Sequence, residues 1–275
     1  MPHLVRWQDE LADFGLVIVA PHRQKATDDE VRSTARARGI NYTVTTGHVS
    51  GGKGSGIPHS YLFDAEGNCV FEGHPSEAEK KLRATFGAAL VAKAGRDSFP
   101  KALTAQVDAL KAGKPPAGVL AKVQPLTRST DAEIATAAKA LADALTAPAK
   151  ASLEAAKAQR SDDPLAAYDR AQRLAATFKS TPVGIDAAKF FAELKADKAV
   201  VAELRARPLL EKVRVLDQQL GKVLGEKESA DDAFRKAMAA PLKQLQSAII
   251  QMKRVAPDAR ATKDAVVLAE KYGVK

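Results

Sequence analysis

The stretch that decides the fold is Gly56-Ile57-Pro58-His59-Ser60-Tyr61-Leu62-Phe63-Asp64-Ala65-Glu66-Gly67-Asn68-Cys69-Val70-Phe71-Glu72-Gly73. Two short runs rich in aromatic and β-branched residues, 60–64 and 69–72, flank the turn Ala65-Glu66-Gly67-Asn68. That pattern predicts a β-hairpin, with Gly67 supplying a positive φ that a side chain would resist. Gly73-His74-Pro75 closes the return strand. Ahead of the hairpin, residues 47–56 form a glycine-rich loop that leads into Pro58.

Working outward toward the N-terminus, Leu4, Trp7 and Leu11 have helical spacing, which predicts a helix over 3–13 that Gly15 breaks. Leu16-Val17-Ile18-Val19-Ala20 is a continuous apolar run, three of its five residues β-branched. It predicts a buried, central, parallel strand ended by Pro21. Thr27 followed by Glu30 is a capping-box pair, so a helix is expected from there to Arg38, stopping at Gly39. Residues 42–45 read as a short strand. Beyond the hairpin, Ser76 and Glu79 form a second capping-box pattern, placing a helix start near 76.

From residue 76 on, no strand is convincing. Ala, Leu, Lys, Glu and Asp recur at helical spacing, with expected breaks at Pro100, Pro115-Pro116, Pro125, Pro148, Pro164, Pro182, Pro208, Pro241 and Pro257. Asp162-Asp163-Pro164 reads as a helix start, with acidic cap candidates and proline in the first turn. Leu165, Tyr168, Leu174 and Phe178 mark an apolar stripe. Thr181-Pro182-Val183-Gly184 turns into a second helix carrying Ala187, Phe190, Phe191 and Leu194. Such paired helices resemble a tetratricopeptide-type unit without a clean repeat period.

Composition divides the chain the same way. Residues 1–75 hold 7 Lys/Arg and 9 Asp/Glu; the remainder holds 35 and 24. All five histidines and the single Trp7 fall in the first 75 residues. Two domains are expected, 1–95 and 96–275. No apolar run reaches the roughly 18 residues of a membrane helix, and the first ten residues do not read as a secretory signal. The chain as it stands therefore reads as cytosolic.

The order of elements, and three local motifs, resemble a thioredoxin fold of the redoxin/TlpA-like kind over residues 1 to about 85. Gly56-Ile57-Pro58 resembles the family's approach to its cis-proline. The hairpin from Ser60 to Gly73 resembles the family's strand, Asp-x-x-Gly turn and strand. Met1-Pro2-His3-Leu4 resembles the segment just after the family's Trp-Cys-x-x-Cys. The fold class this implies is an incomplete thioredoxin-like α/β domain lacking its first strand, followed by an all-α C-terminal domain. The resemblance implies a cis bond at Pro58 and a substrate groove bordered by Ile57, Pro58 and His59.

The same resemblance sets the chemistry in doubt. Disulfide exchange needs a thiolate of lowered pKa and a second thiol to resolve the mixed disulfide. The chain has one cysteine, Cys69, which the sequence reads as a small, buried, inert strand residue. No catalytic residue is identified, and the chain alone is expected to be inactive as an oxidoreductase. Two explanations stay open. The missing strand, the cysteine pair and a signal for the cell envelope lie upstream of Met1, or the domain is naturally degenerate and serves as a scaffold. In the second case the helical domain presents a protein-binding surface. Without its first strand the sheet would expose an apolar edge, so poor stability is expected.

Other motifs carry less. Gly47-x-x-x-x-Gly52-Lys53 matches the opening of a phosphate-binding loop, but Gly54 stands where Ser or Thr is required, and a strand follows instead of a helix. The histidines lack metal-ligand spacing, so no metal or other cofactor is expected. The basic C-terminal region alternates with acids (Glu203-Leu204-Arg205, Glu226-Lys227-Glu228), the pattern of a solvated helix surface rather than a nucleic-acid reader. A protein partner or a disulfide-bearing protein substrate is the expected ligand, not nucleic acid.

Overall fold

A computed structural model describes residues 2–22, 26–46, 58–225 and 231–274. Helix α1 (Pro2–Leu11) leads through a 3-10 turn at Ala12–Phe14 to strand β1 (Val19–His22). Helix α2 (Asp28–Ala37) and strand β2 (Thr43–Thr46) follow, then strands β3 (Ser60–Phe63) and β4 (Cys69–Gly73). Every described element after β4 is helical: a 3-10 turn at Pro75–Glu77, then α3 (Ala78–Ala92), α4 (Lys101–Lys111), α5 (Pro116–Val123), α6 (Ala132–Ala158), α7 (Pro164–Thr177), α8 (Pro182–Ala196), α9 (Lys198–Leu224), α10 (Asp232–Ala237), α11 (Ala239–Val255) and α12 (Arg260–Glu270). No helix among the described residues is long and apolar enough to cross a membrane. The chain divides into two compact units, residues 1–154 with 174–186, and residues 155–173 with 187–275.

In the first unit, β1 pairs with β2 in parallel, Val19 opposite Thr43 and His22 opposite Thr46. β3 and β4 form the expected hairpin, Ser60 opposite Gly73 and Leu62 opposite Phe71, with a register shift between Leu62 and Phe63. Its turn is built by Asp64, whose Oδ1 accepts from the backbone N–H of Glu66 at 3.1 Å and of Asn68 at 2.8 Å. Gly67 turns there at φ +87°. Thr27 and Glu30 cap α2 reciprocally, as their spacing predicts. Trp7 and Leu11 of α1 and Ala78 and Leu82 of α3 form one buried cluster. Leu16, Ile18, Leu62 and Phe71 pack against it, so a single pair of helices covers residues from the β1 segment and from both hairpin strands.

Several expectations need correction. The strand expected over 16–20 begins only at Val19, and among the described residues it pairs on one side, with β2 alone. Leu16 still belongs to the turn, its N–H bonded to Leu11 O at 3.1 Å. Leu16 and Ile18 pack inward, whereas Val17 is 78% and Val19 53% exposed. An apolar run means burial on both faces only when both faces are covered, and here one is. Pro21 lies within β1, opposite Thr45, as an edge strand permits. The Ser76/Glu79 box does not form. The His74 ring accepts from the Ser76 N–H at 3.2 Å, Pro75 opens a 3-10 turn, and α3 starts at Ala78.

Three of the nine proline breaks do not break the chain. Pro148 lies inside α6 and Pro208 inside α9, each helix running 27 residues. Pro241 is the third residue of α11, where a first-turn N–H has no helical partner to lose. Pro148 is held by packing on Gly15, whose φ is +107° and where an added Cβ would meet Pro148 Cγ at 3.3 Å. Elsewhere the punctuation holds. Asp163 Oδ1 accepts from Ala166 N–H at 3.0 Å to start α7. Thr181 accepts from Gly184 N–H at 3.2 Å while donating to Phe178 O at 2.8 Å. Gly87 of α3 faces Leu110 O of α4 so closely that a Cβ could not fit.

In the second unit α9 is the spine against which α11 and α12 pack. Leu210, Val213, Leu216 and Leu220 of α9 share one core with Leu245, Ile249 and Met252 of α11 and Ala265 and Ala269 of α12. Fully burying one leucine contributes on the order of 2 kcal/mol, so this face is what makes the helices mutually stable. Tyr168 and Phe191 of the α7–α8 stripe meet at a ring separation of 4.8 Å. Arg207 clamps Asp169 with both terminal nitrogens, at 3.1 and 2.5 Å. The N-terminus of α12 has no local side-chain cap. It is capped instead by buried Glu203 of α9, whose two oxygens take the N–H groups of Arg260 and Ala261.

Candidate functional site

The groove expected at Ile57, Pro58 and His59 is described only in part. Ile57, the glycine-rich loop 47–56 and the geometry of the bond entering Pro58 lie outside the described residues. Pro58 is exposed and His59 half-buried. His59 precedes β3, and its Nε2 lies 3.1 Å from Glu72 Oε1 of β4, across the hairpin. Its ring meets Tyr61 edge-on at 5.0 Å. This places an imidazole and a carboxylate on the hairpin beside Pro58.

Cys69 does not match its expected burial: the thiol is exposed. It opens β4 opposite Phe63, which is itself 57% exposed, at the end of the hairpin where the register shifts. Its Sγ donates to Phe71 O at 3.3 Å. A single thiol without a neighbouring base can be alkylated or oxidised, but it cannot run a two-thiol exchange cycle.

A network that the sequence reading missed ties α1 to α3. Arg6 Nη2 contacts both oxygens of Glu79, at 2.9 and 2.8 Å. Arg83 reaches Glu79 at 3.0 Å and Glu10 at 2.6 Å. The Arg83 hydrogen bond is the main cause that holds the Glu79 carboxyl below its ordinary pKa. The legible signal was the i, i+4 spacing of Glu79 and Arg83; the reach to Arg6 and Glu10 depends on tertiary packing. Trp7 Nε1 contributes to the low Glu79 pKa, yet its geometry falls short of a hydrogen bond. Burial chiefly, and then nearby positive charge including His74, lowers the pKa of His3. His3 stacks edge-on against Trp7 at 5.2 Å. Among the described residues, the buried side-chain atoms without a partner are His3 Nε2, Trp7 Nε1, Gln8 Oε1 and His22 Nε2. All four belong to α1 or to the end of β1.

Among the described residues no three His, Cys, Asp or Glu side chains converge as metal ligands would. His74 is occupied locally, Nδ1 lying 2.6 Å from Ser76 Oγ. The described residues offer one exposed thiol and a ring–carboxylate pair. No family model, no curated protein and no solved structure matches this chain.

Proposed function

We propose that the α/β part is a thioredoxin-like domain of the redoxin/TlpA type, and that this protein belongs to the thiol–disulfide redox class with its catalytic cysteine pair not among these 275 residues. One observation carries the reading. The helix pair α1 and α3 covers both a parallel strand pair and an antiparallel hairpin, through Trp7, Leu11, Ala78 and Leu82. Strand pairs of both senses backed by one helical layer are what an α/β sheet leaves when a strand between them is lacking. The exposed Val17 and Val19 and the unpartnered groups of α1 and β1 favour the same account. In this reading the present residues supply the fold and the groove beside Pro58 and His59, and the thiols come from elsewhere.

A second reading, a non-catalytic scaffold built on a degenerate thioredoxin fold and a helical binding surface, is favoured by Cys69 standing alone and exposed. A peptide map of the native protein from its source cells, after thiol alkylation, separates the two. An alkylated Cys-x-x-Cys peptide contiguous with Pro2-His3-Leu4 is the expected result and establishes the redox class. Cys69 as the sole alkylated residue in the native protein overturns that reading in favour of the scaffold.

A further inference from the structure

We propose that His3 is an acid-sensitive latch on α1: taking up a proton on its ring loosens α1 from the apolar face it shares with α3. His3 stands in the first turn of α1, its ring edge-on to Trp7 at 5.2 Å. Its Nε2 is buried, and among the described residues it has no hydrogen-bond partner. A neutral imidazole carries one N–H and can leave the other nitrogen as a lone pair, whereas the imidazolium donates from both nitrogens. The charged ring therefore puts a donor at Nε2 where no acceptor of the described residues meets it. An unmet buried donor is costly, and more so when it carries charge.

The charges around the ring act in the same direction. Arg6 lies one turn further along α1, and His74 lies in the segment between β4 and α3. The chain's terminal ammonium adds to them. The first turn of α1 holds no acidic residue, so no carboxylate of its own turn offsets the positive end of the helix dipole beside the ring. The carboxylate that favours the charged ring is Glu79 of α3, and its oxygens are already held by Arg6 and Arg83. Burial chiefly, and then these cations, hold the His3 pKa below its ordinary 6.5.

With α1 detached, the ring binds its proton near the ordinary pH of 6.5; docked, it does so only at lower pH. The detached form therefore gains on the docked one as pH falls from 6.5 toward the lower docked value. Between pH 7.5 and 5.5 a single such proton raises the population of detached α1 by at most about tenfold. What the latch holds is the shared face. α1 supplies Trp7 and Leu11 to the cluster with Ala78 and Leu82, against which Leu62 of β3 and Phe71 of β4 pack. Loosening α1 uncovers those residues. His3 acts this way whether or not the unit belongs to the redox class.

Two measurements on the full chain test the latch. An NMR titration of the His3 ring, which needs no variant, should give a midpoint below 6.5. Native-state hydrogen exchange of the α1 amides, corrected for the intrinsic pH dependence of exchange, should show opening that rises severalfold, and by no more than about tenfold, between pH 7.5 and 5.5. Amides of α9 should show no such rise. In His3→Gln, which keeps a polar side chain without a titrating proton, the α1 rise should vanish. A His3 midpoint at or above 6.5, α1 opening that does not change with pH, a rise shared equally by α9, or an equal rise in His3→Gln would each overturn the proposal.

Discussion

Glu203 makes the sharpest stability prediction. It lies on α9, 8% exposed, and its carboxylate takes the first two N–H groups of α12, from Arg260 and Ala261. Ala259, at the cap position, offers no side-chain acceptor. In Glu203→Ala two backbone donors lose their partner, each loss costing about 1–3 kcal/mol where water cannot replace it. The negative charge at the helix N-terminus adds about 0.5–1 kcal/mol. Offsetting this is the relief from desolvating a carboxylate, so a net loss of about 3 kcal/mol is expected. Glu203→Gln keeps one acceptor oxygen but loses the charge, and about half that loss is expected. The assay is native-state hydrogen exchange of the amides of residues 260–262, alongside urea unfolding followed by circular dichroism. These amides should lose protection in the order wild type, Gln, Ala, while amides in the first unit stay unchanged. A Glu203→Ala protein within about 0.5 kcal/mol of wild type, with unaltered exchange at 260–262, would refute the account of a cap supplied across helices.

Other outcomes follow from single positions. Gly87→Ala should destabilise, although the same change in an open helix stabilises by about 1 kcal/mol, because the new Cβ would collide with Leu110 O; urea unfolding gives the sign. Asp64 is held below its ordinary pKa of 3.8 chiefly by the Asn68 side chain and then by its backbone N–H. Its folded pKa is depressed, so its support of the hairpin is present above pH 3.8 and is lost as pH falls through the lower folded value. Exchange of the Asn68 amide should be protected at neutral pH and lose protection only in acid, and Asp64→Ala should abolish that dependence. Cys69, being exposed, should react with one equivalent of a thiol reagent in the native state. In an insulin-reduction assay the chain should not exceed the rate of dithiothreitol alone. The β1–β2 amides should exchange faster than those of α9, since among the described residues β1 is paired on one side only.

The hairpin was legible because its signals are local. Asp64, Gly67 and Asn68 write the turn into adjacent residues, and the aromatic-rich runs on either side supply the strands. The caps at Thr27 and Asp163 were readable for the same reason. Ser76 and Glu79 show the limit of such signals. The same spacing that caps α2 fails at α3, because His74 and Pro75 provide a local cap first and Arg6 and Arg83 claim the Glu79 carboxylate. Proline as punctuation failed at Pro148, which α6 runs through and which lies beside Gly15, a neighbour distant in sequence. Nothing near Glu203 in sequence points to Arg260, since the contact closes over dozens of residues.

The run Leu16-Val17-Ile18-Val19-Ala20 carries the argument furthest. Its composition is that of a strand covered on both faces and paired on both edges. The structure gives it one covered face, through Leu16 and Ile18, and one paired edge, with β2. Two strands by themselves are marginally stable at best, and parallel strands are ordinarily part of larger covered sheets. Left over are exposed Val17 and Val19 and, among the described residues, buried polar atoms of His3, Trp7, Gln8 and His22 without a partner. Here sequence and structure disagree over how much of the run is covered. Among the described residues the buried polar atoms without a partner all belong to α1 or β1, whereas exposed β-branched residues also occur on α9, α11 and α12, at Val215, Val223, Ile250 and Val267. A strand laid along β1 would pair the backbone groups of its edge. That makes the β1 edge, rather than Cys69 or the histidines, a place where a partner segment would add backbone pairing and so stability.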